Sequence, residues 1–161
     1  MKTILLLRHA KSSWNDPDLD DRERPLNKRG KRQSPEMGKL VLAEGLTPDL
    51  ILSSPAKRAR KTAAAVAKVC GYDGNVERIE DFYPGGPADY LRVLSELPDG
   101  VRRVMLVAHN PGLEEFLRDL VNQAWPLPTA ALAQVEIPLD AWQDLTASTR
   151  GKLVKIFIAG A

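Results

Sequence analysis

The sequence predicts an α/β fold, a three-layer α/β/α sandwich around a mostly parallel central sheet with an antiparallel edge strand. Two observations lead there. Short apolar runs with β-branched residues recur along the chain, and stretches with helical spacing of apolar side chains separate most of them. A third is the length, 161 residues, which fits one domain over residues 1–161 and is enough to bury a core without disulfide or metal staples.

Taken in order, Thr3–Leu7 is almost uniformly apolar and reads as a strand buried on both faces. Lys28–Glu44 has a helical pattern, with Pro35 expected to kink it or to restart it after Ser34. Asp49–Leu52 opens a second short strand. Pro55–Val69 is an Ala-rich helix with Ser54 as its expected N-cap and Pro55 at its first position. Ala88–Leu97 sets Tyr90, Leu91, Leu94 and Leu97 on one stripe, and Gly112–Val121 does the same with Leu113, Phe116, Leu117 and Leu120. Arg103–Ala108 is the strand between them. Ala130–Ile137 and Lys152–Ala159 are the last strands, and with no helix between them they are expected to pair antiparallel at an edge. No internal repeat, low-complexity tract or linker interrupts the pattern.

Composition excludes several classes. A single cysteine, Cys70, forms neither an internal disulfide nor a zinc cluster, so the chain reads as cytoplasmic and independent of metal and cofactor. No apolar run approaches the ~20 residues of a membrane span. Ile4–Leu7 is too short for the apolar core of a signal peptide. The net charge of +2 hides an asymmetry: residues 1–70 carry 15 basic against 8 acidic side chains, and the remainder 8 against 13. The first half therefore builds a surface or pocket for an anion.

Three of the apolar strands end alike. The first gives Arg8-His9; the second gives Ser53-Ser54-Pro55 with Arg58 one turn into the next helix; the third gives His109-Asn110-Pro111-Gly112. Ligands of open α/β sheets sit outside the carboxyl ends of the strands. Both histidines of the chain and two arginines thus face one crevice. A metal site fits poorly, because no carboxylate lies at ligand spacing from a histidine and guanidinium groups repel a cation. There is no Gly-x-Ser-x-Gly elbow, no Walker loop and no Gly-x-Gly-x-x-Gly. Guanidinium forks match phosphate oxygens, a neutral imidazole attacks phosphorus, and a second imidazole donates to an equatorial oxygen. The set reads as phosphoryl transfer through a phosphohistidine on the chain itself.

At these residues the chain resembles the histidine phosphatase superfamily, also called phosphoglycerate-mutase-like, and within it the small SixA-type phosphohistidine phosphatases. The resemblance rests on Leu7-Arg8-His9-Ala10, on the segment from Ser53 to Ala63, and on Val107-Ala108-His109-Asn110-Pro111-Gly112. Arg8–Trp14, Arg24–Gly30 and Pro128–Leu132 look like the SixA group in particular. The resemblance implies His9 as nucleophile, with Arg8, Arg58 and His109 clamping the phosphoryl oxygens. It also implies Asn15, after Trp14, as a phosphate contact; Ser12 is a further candidate donor. Ala10 stands where the wider family has glycine. The implied substrate is phosphohistidine in a protein, such as a histidine-containing phosphotransfer domain in signalling. The alternative within the superfamily is a small phosphate ester.

Many superfamily members carry a carboxylate proton donor, and here the candidates are weak. Glu80 and Asp81 precede Phe82-Tyr83-Pro84, where SixA-like chains often read Leu-Tyr-Glu; Glu114 and Glu115 lie in the later helix. Leaving alkoxides need such an acid, whereas an imidazole leaving from phosphohistidine departs readily. A non-catalytic nucleic-acid binder is the reading from another class, with Arg22, Arg24, Lys28, Arg29, Lys31 and Arg32 as its patch. Asp18, Asp20, Asp21 and Glu23 interrupt that patch and no reading motif accompanies it, so neither nucleic acid nor membrane is expected as a partner. The attacking nitrogen of His9 depends on the bond its other nitrogen makes.

Overall fold

The computed structural model describes residues 1–160; Ala161, the last residue of the expected single domain, lies outside them. The elements run β1 (Lys2–Arg8), α1 (Lys28–Ala43), β2 (Leu50–Ser53), α2 (Lys57–Cys70), β3 (Glu77–Arg78), α3 (Pro87–Ser95), β4 (Arg103–Ala108), α4 (Gly112–Val121), β5 (Leu132–Ile137) and β6 (Lys152–Phe157). All six strands belong to one sheet of order β3-β2-β4-β1-β5-β6. β1, β2, β3 and β4 pair in parallel, while β5 runs antiparallel to both β1 and β6. The antiparallel pairing thus falls at the end of the sheet where no helix separates consecutive strands.

Both faces of the sheet are covered at its centre, which explains the unbroken apolar run of β1. Leu5 and Leu7, with Ile51, Met105 and Val107, pack against Met37, Val41, Ala63 and Val66 of α1 and α2. Ile4 and Leu6, with Leu52, Val104 and Leu106, pack against Tyr90, Leu94, Phe116 and Leu117 of α3 and α4. The alternation along β1, β2 and β4 is period two, but both sides meet a helix layer. Ile4, Leu5, Leu6 and Leu7 are fully buried. Truncating any one to Ala therefore costs about 2–5 kcal/mol.

The elements differ from expectation in three places. α1 runs through Pro35 as one helix and is not restarted after Ser34, whose hydroxyl donates to the Gly30 carbonyl one turn back. α2 starts at Lys57 with Ala56 as its N-cap residue and no side-chain cap, so Ser54 and Pro55 precede the helix. The two-residue strand β3 was not foreseen, because Glu77 and Arg78 are both exposed and polar.

Topology positions the crevice. β2, β4 and β1 are adjacent and parallel, with Ser53 opposite Val107 and Ala108 opposite Arg8. His9, His109 and the Ser53-Ser54 segment therefore leave the sheet at one edge.

Candidate active site

The backbone at His9 is held from three sides. The His9 N–H donates to Ala108 O at 3.0 Å, and the Ala130 N–H is shared between the carbonyls of Arg8 and His9, 3.1 Å from each. The Ala10 N–H donates to the Thr62 hydroxyl at 3.0 Å, and that hydroxyl donates to Arg58 O at 2.8 Å. One side chain of α2 thus ties the turn after β1 to the backbone of Arg58. α1 closes the third side: Asn27 caps it by accepting from the Gly30 N–H, and the Asn27 N–H donates to Lys11 O. Gly30 packs so tightly on that carbonyl that a Cβ would lie 2.1 Å from Lys11 O.

The two histidine rings lie with centroids 5.1 Å apart, tilted by 54°. His9 and His109 are 7% and 6% exposed. His9 Nδ1 lies 2.8 Å from the Ala10 carbonyl. A carbonyl only accepts, so Nδ1 carries the proton and Nε2 keeps its lone pair. His109 Nε2 lies 2.7 Å from Ser54 Oγ, which itself accepts from the Ala56 N–H. With the Ser54 proton given to Nε2, His109 Nδ1 is a buried N–H without a protein partner. Burial pushes His9 down to about 4, helped by the charges of Arg58, Arg8 and Arg24. Burial likewise pushes His109 down to about 3, helped by His9 and Arg58. Both rings are therefore neutral at pH 7.

The arginines differ in their commitments. Arg8 donates from Nη1 to Leu127 O at 3.1 Å, its Nε is buried without a partner, and burial lowers its affinity for the proton. Arg58 is 7% exposed and donates to the Asp21 carbonyl at 2.6 Å and the Asp21 carboxylate at 3.0 Å. That carboxylate also accepts from Arg24 at 2.9 Å and from the Tyr83 hydroxyl at 2.6 Å. Tyr83, Arg24 and Arg58 hold Asp21 well below the usual carboxylate range. Tyr83 also presents an edge contact to the His109 ring at 5.6 Å. Asp21 and Tyr83 were not singled out from the sequence; they stand 37 and 25 residues from Arg58, and no local pattern links them to it.

Ser12 is buried and its hydroxyl accepts from Arg24 Nη2 at 2.5 Å, so it contacts the guanidinium that binds Asp21. Asn15 is exposed on the following loop, where its N–H donates to Ser13 Oγ. None of the four candidate acids hydrogen-bonds a histidine, although Glu114 stands close enough to Arg8 for its charge to act on the guanidinium. Glu80 pairs with Arg22 and Asp81 with Arg92, both exposed. Glu114 accepts from Asn110 and from the Leu127 N–H, and Glu115 makes no contact with either histidine. No carboxylate among the described residues hydrogen-bonds a histidine ring. Nor do three His, Cys, Asp or Glu side chains converge as a metal site would require. What converges is neutral imidazole and guanidinium, a donor set suited to a tetrahedral oxyanion beside one free imidazole lone pair.

The model of the histidine phosphatase superfamily (branch 1) matches residues 4–82. A crystal structure from Agrobacterium tumefaciens, provisionally named phosphohistidine phosphatase SixA, is 31% identical with a TM-score of 0.82, over 99% of each chain. The protein histidine phosphatase SixA complexed with tungstate shares the fold at 20% identity and a TM-score of 0.76, over 96% of this chain and 95% of that one. A chloroplastic protein of Arabidopsis thaliana, itself uncharacterised, is 34% identical over 153 residues, 89% of this chain and 70% of its own length.

Proposed function

Since the chain belongs to the histidine phosphatase superfamily, whose members move phosphoryl groups, we propose that it is a phosphatase acting on phosphohistidine in proteins. The observation that carries the substrate class is that no carboxyl group hydrogen-bonds either histidine among the described residues, Glu114 being held by Asn110 and the Leu127 N–H. Asp21 is the carboxylate in contact with Arg58, and its three donors keep it ionised. It holds no proton to give at neutral pH. General acid help is worth about 10²–10⁴-fold where an alkoxide must leave. An imidazole whose other ring nitrogen is already protonated takes the P–N electron pair and leaves as a neutral group, so it does not need it.

In the proposed mechanism His9 Nε2 attacks phosphorus in line, and the P–N bond to the substrate imidazole breaks. Nδ1–H, held by Ala10 O, keeps the tautomer fixed and stabilises the positive charge of the phosphorylated ring. Arg8, Arg58 and the unpartnered N–H of His109 bind the non-bridging oxygens, where charge builds in the transition state. Water then attacks the phosphorus, releasing phosphate and restoring His9. The same anion donors serve both steps. A cytoplasmic site of action fits this reading.

Rapid quench with a radiolabelled phosphohistidine protein tests it. A label that is acid-labile and alkali-stable, and that disappears in His9→Ala, is expected. Normal labelling and turnover by His9→Ala would end the mechanism, and equal turnover of sugar phosphates and phosphohistidine would end the substrate assignment.

A further inference from the structure

Beside the site runs an open groove of uncompensated positive charge. Its floor is Pro25, Leu26 and Ala65, and its two connected stretches, about 490 and 430 Å³, share Lys31. Lys28 and Arg29 line one stretch; Lys57 and Lys61 of α2 line the other. Lys28, Arg29, Lys31 and Lys61 are exposed and Lys57 is half-buried. None of these five cations pairs with a carboxylate among the described residues, and no acidic side chain lines the groove.

Arg22, by contrast, pairs with Glu80, and Arg24 and Arg58 share the carboxylate of Asp21. The groove abuts the site: Ser13 lines it next to Ser12, and Lys57 precedes Arg58 in the chain. Trp14, between Ser13 and Asn15, is 73% exposed and lies flat against the Arg24 guanidinium, 3.2 Å from ring centroid to carbon. An exposed tryptophan stacked on a guanidinium, between two chain neighbours that line a charged groove, is suited to anchor a protein partner.

We propose that this groove docks an acidic surface of the protein that carries the phosphohistidine, so that electrostatic complementarity selects the partner and delivers its phosphorylated side chain to His9. The inference rests on the phosphohistidine reading of the site. Five like charges without partners repel one another, and an acidic face relieves that repulsion on binding. A polynucleotide fits less well, because Asp16, Asp18, Asp20 and Glu23 are exposed on the loop leading into Arg24 and repel a backbone continuing past the groove.

The test uses the full chain and three phosphohistidine peptides that differ only in flanking residues: Asp/Glu, Ser/Gln or Lys. Free phosphohistidine is the control substrate. The triple variant Lys28→Glu, Lys31→Glu, Lys61→Glu is compared with the unaltered chain. The acidic peptide is expected to lead in kcat/KM by roughly tenfold, to lose that lead in the variant through KM, and to lose most of it at about 0.5 M salt, while free phosphohistidine changes by less than about twofold. Equal turnover of all three peptides, or an equal loss on free phosphohistidine in a variant with native circular dichroism, overturns the proposal. Fluorescence anisotropy with the unphosphorylated acidic peptide reads the groove without the chemistry. Peptide binding that the variant abolishes, without turnover of any phosphohistidine, keeps the docking face and sinks the reading of the site. Tighter, variant-sensitive binding of a single-stranded oligonucleotide at physiological salt overturns the choice of a protein partner.

Discussion

Acidification from about pH 7.5 to about pH 5 should cost this protein about 4 kcal/mol of folding stability, about 2 kcal/mol for each histidine. His9 and His109 are the only histidines of the chain, and histidine is the side chain that ordinarily titrates in this window. In the unfolded chain both titrate near the ordinary value of about 6.5. In the folded chain burial and neighbouring cations push them to about 4 and about 3. A base with a depressed folded-state pKa leaves the unfolded state binding more protons as pH falls. Stability is therefore full above the unfolded pKa and is lost between there and the folded value. At pH 5 the unfolded form of each ring is stabilised by a factor of about 30 over the folded one, which converts to about 2 kcal/mol. Asp21 is held ionised through the whole window and adds nothing. Urea denaturation at half-unit pH steps reads the loss, and His109→Gln should reduce it to about 2 kcal/mol, because one of the two groups is gone. Stability flat across the window, or the same loss in His109→Gln as in the unaltered chain, would refute the electrostatic account of the site.

Activity should follow the same groups. The acidic limb of kcat/KM is expected to break near the depressed pair rather than near 6.5, so turnover measured on a substrate stable at low pH should stay level down to about pH 5.5. Asp21→Asn removes the shared counter-charge of Arg24 and Arg58 and turns an acceptor of three donors into a poorer one. With Asp21 half exposed, a stability loss of about 1–2 kcal/mol is expected. A larger effect, roughly ten- to a hundredfold, is expected in kcat/KM, with partial recovery in Asp21→Glu; denaturation and steady-state kinetics separate the two. Gly30→Ala drives a methyl into the Lys11 carbonyl, and a destabilisation of about 1–3 kcal/mol is expected in thermal unfolding.

The central strands were legible because their residues answer to one pressure, burial between two helix layers. Ile4–Leu7 and Val104–Ala108 show it without interruption. The crevice was legible for a related reason: in a parallel sheet the residue after an apolar run stands at the carboxyl edge, so Arg8, His9 and His109 could be placed by strand polarity alone. What stayed hidden is what depends on contacts across the chain. Ser54-Pro55 has the local form of a helix start, but the Ser54 hydroxyl is taken by His109, 55 residues away, and the helix begins later. Asp21 looked like one of several acidic residues interrupting a basic patch. Its role is visible only once Arg58 and Tyr83 converge on it. The nitrogen question at His9 was open for the same reason, since it turns on the direction of a single backbone carbonyl.

The charge asymmetry of the sequence divides accordingly into two kinds of positive charge with different physical roles. Arg24 and Arg58 are buried and share one carboxylate, which offsets half of their combined charge. Their value lies in fixed donor geometry, which a buried ion pair provides even where it adds little stability. The lysines of the groove are the reverse. They are exposed or half-buried and pair with no carboxylate among the described residues, poor at fixing a ligand and effective at attracting one over about a Debye length. A phosphoryl group needs the first kind, since its oxygens must be met at defined positions while the P–N bond breaks. A protein substrate needs the second, since its encounter with a shallow site is otherwise slow. On the proposed reading, Ser13 in the groove lining next to Ser12, which bonds Arg24, brings the two kinds together at one crevice, as a substrate larger than a phosphorylated side chain requires.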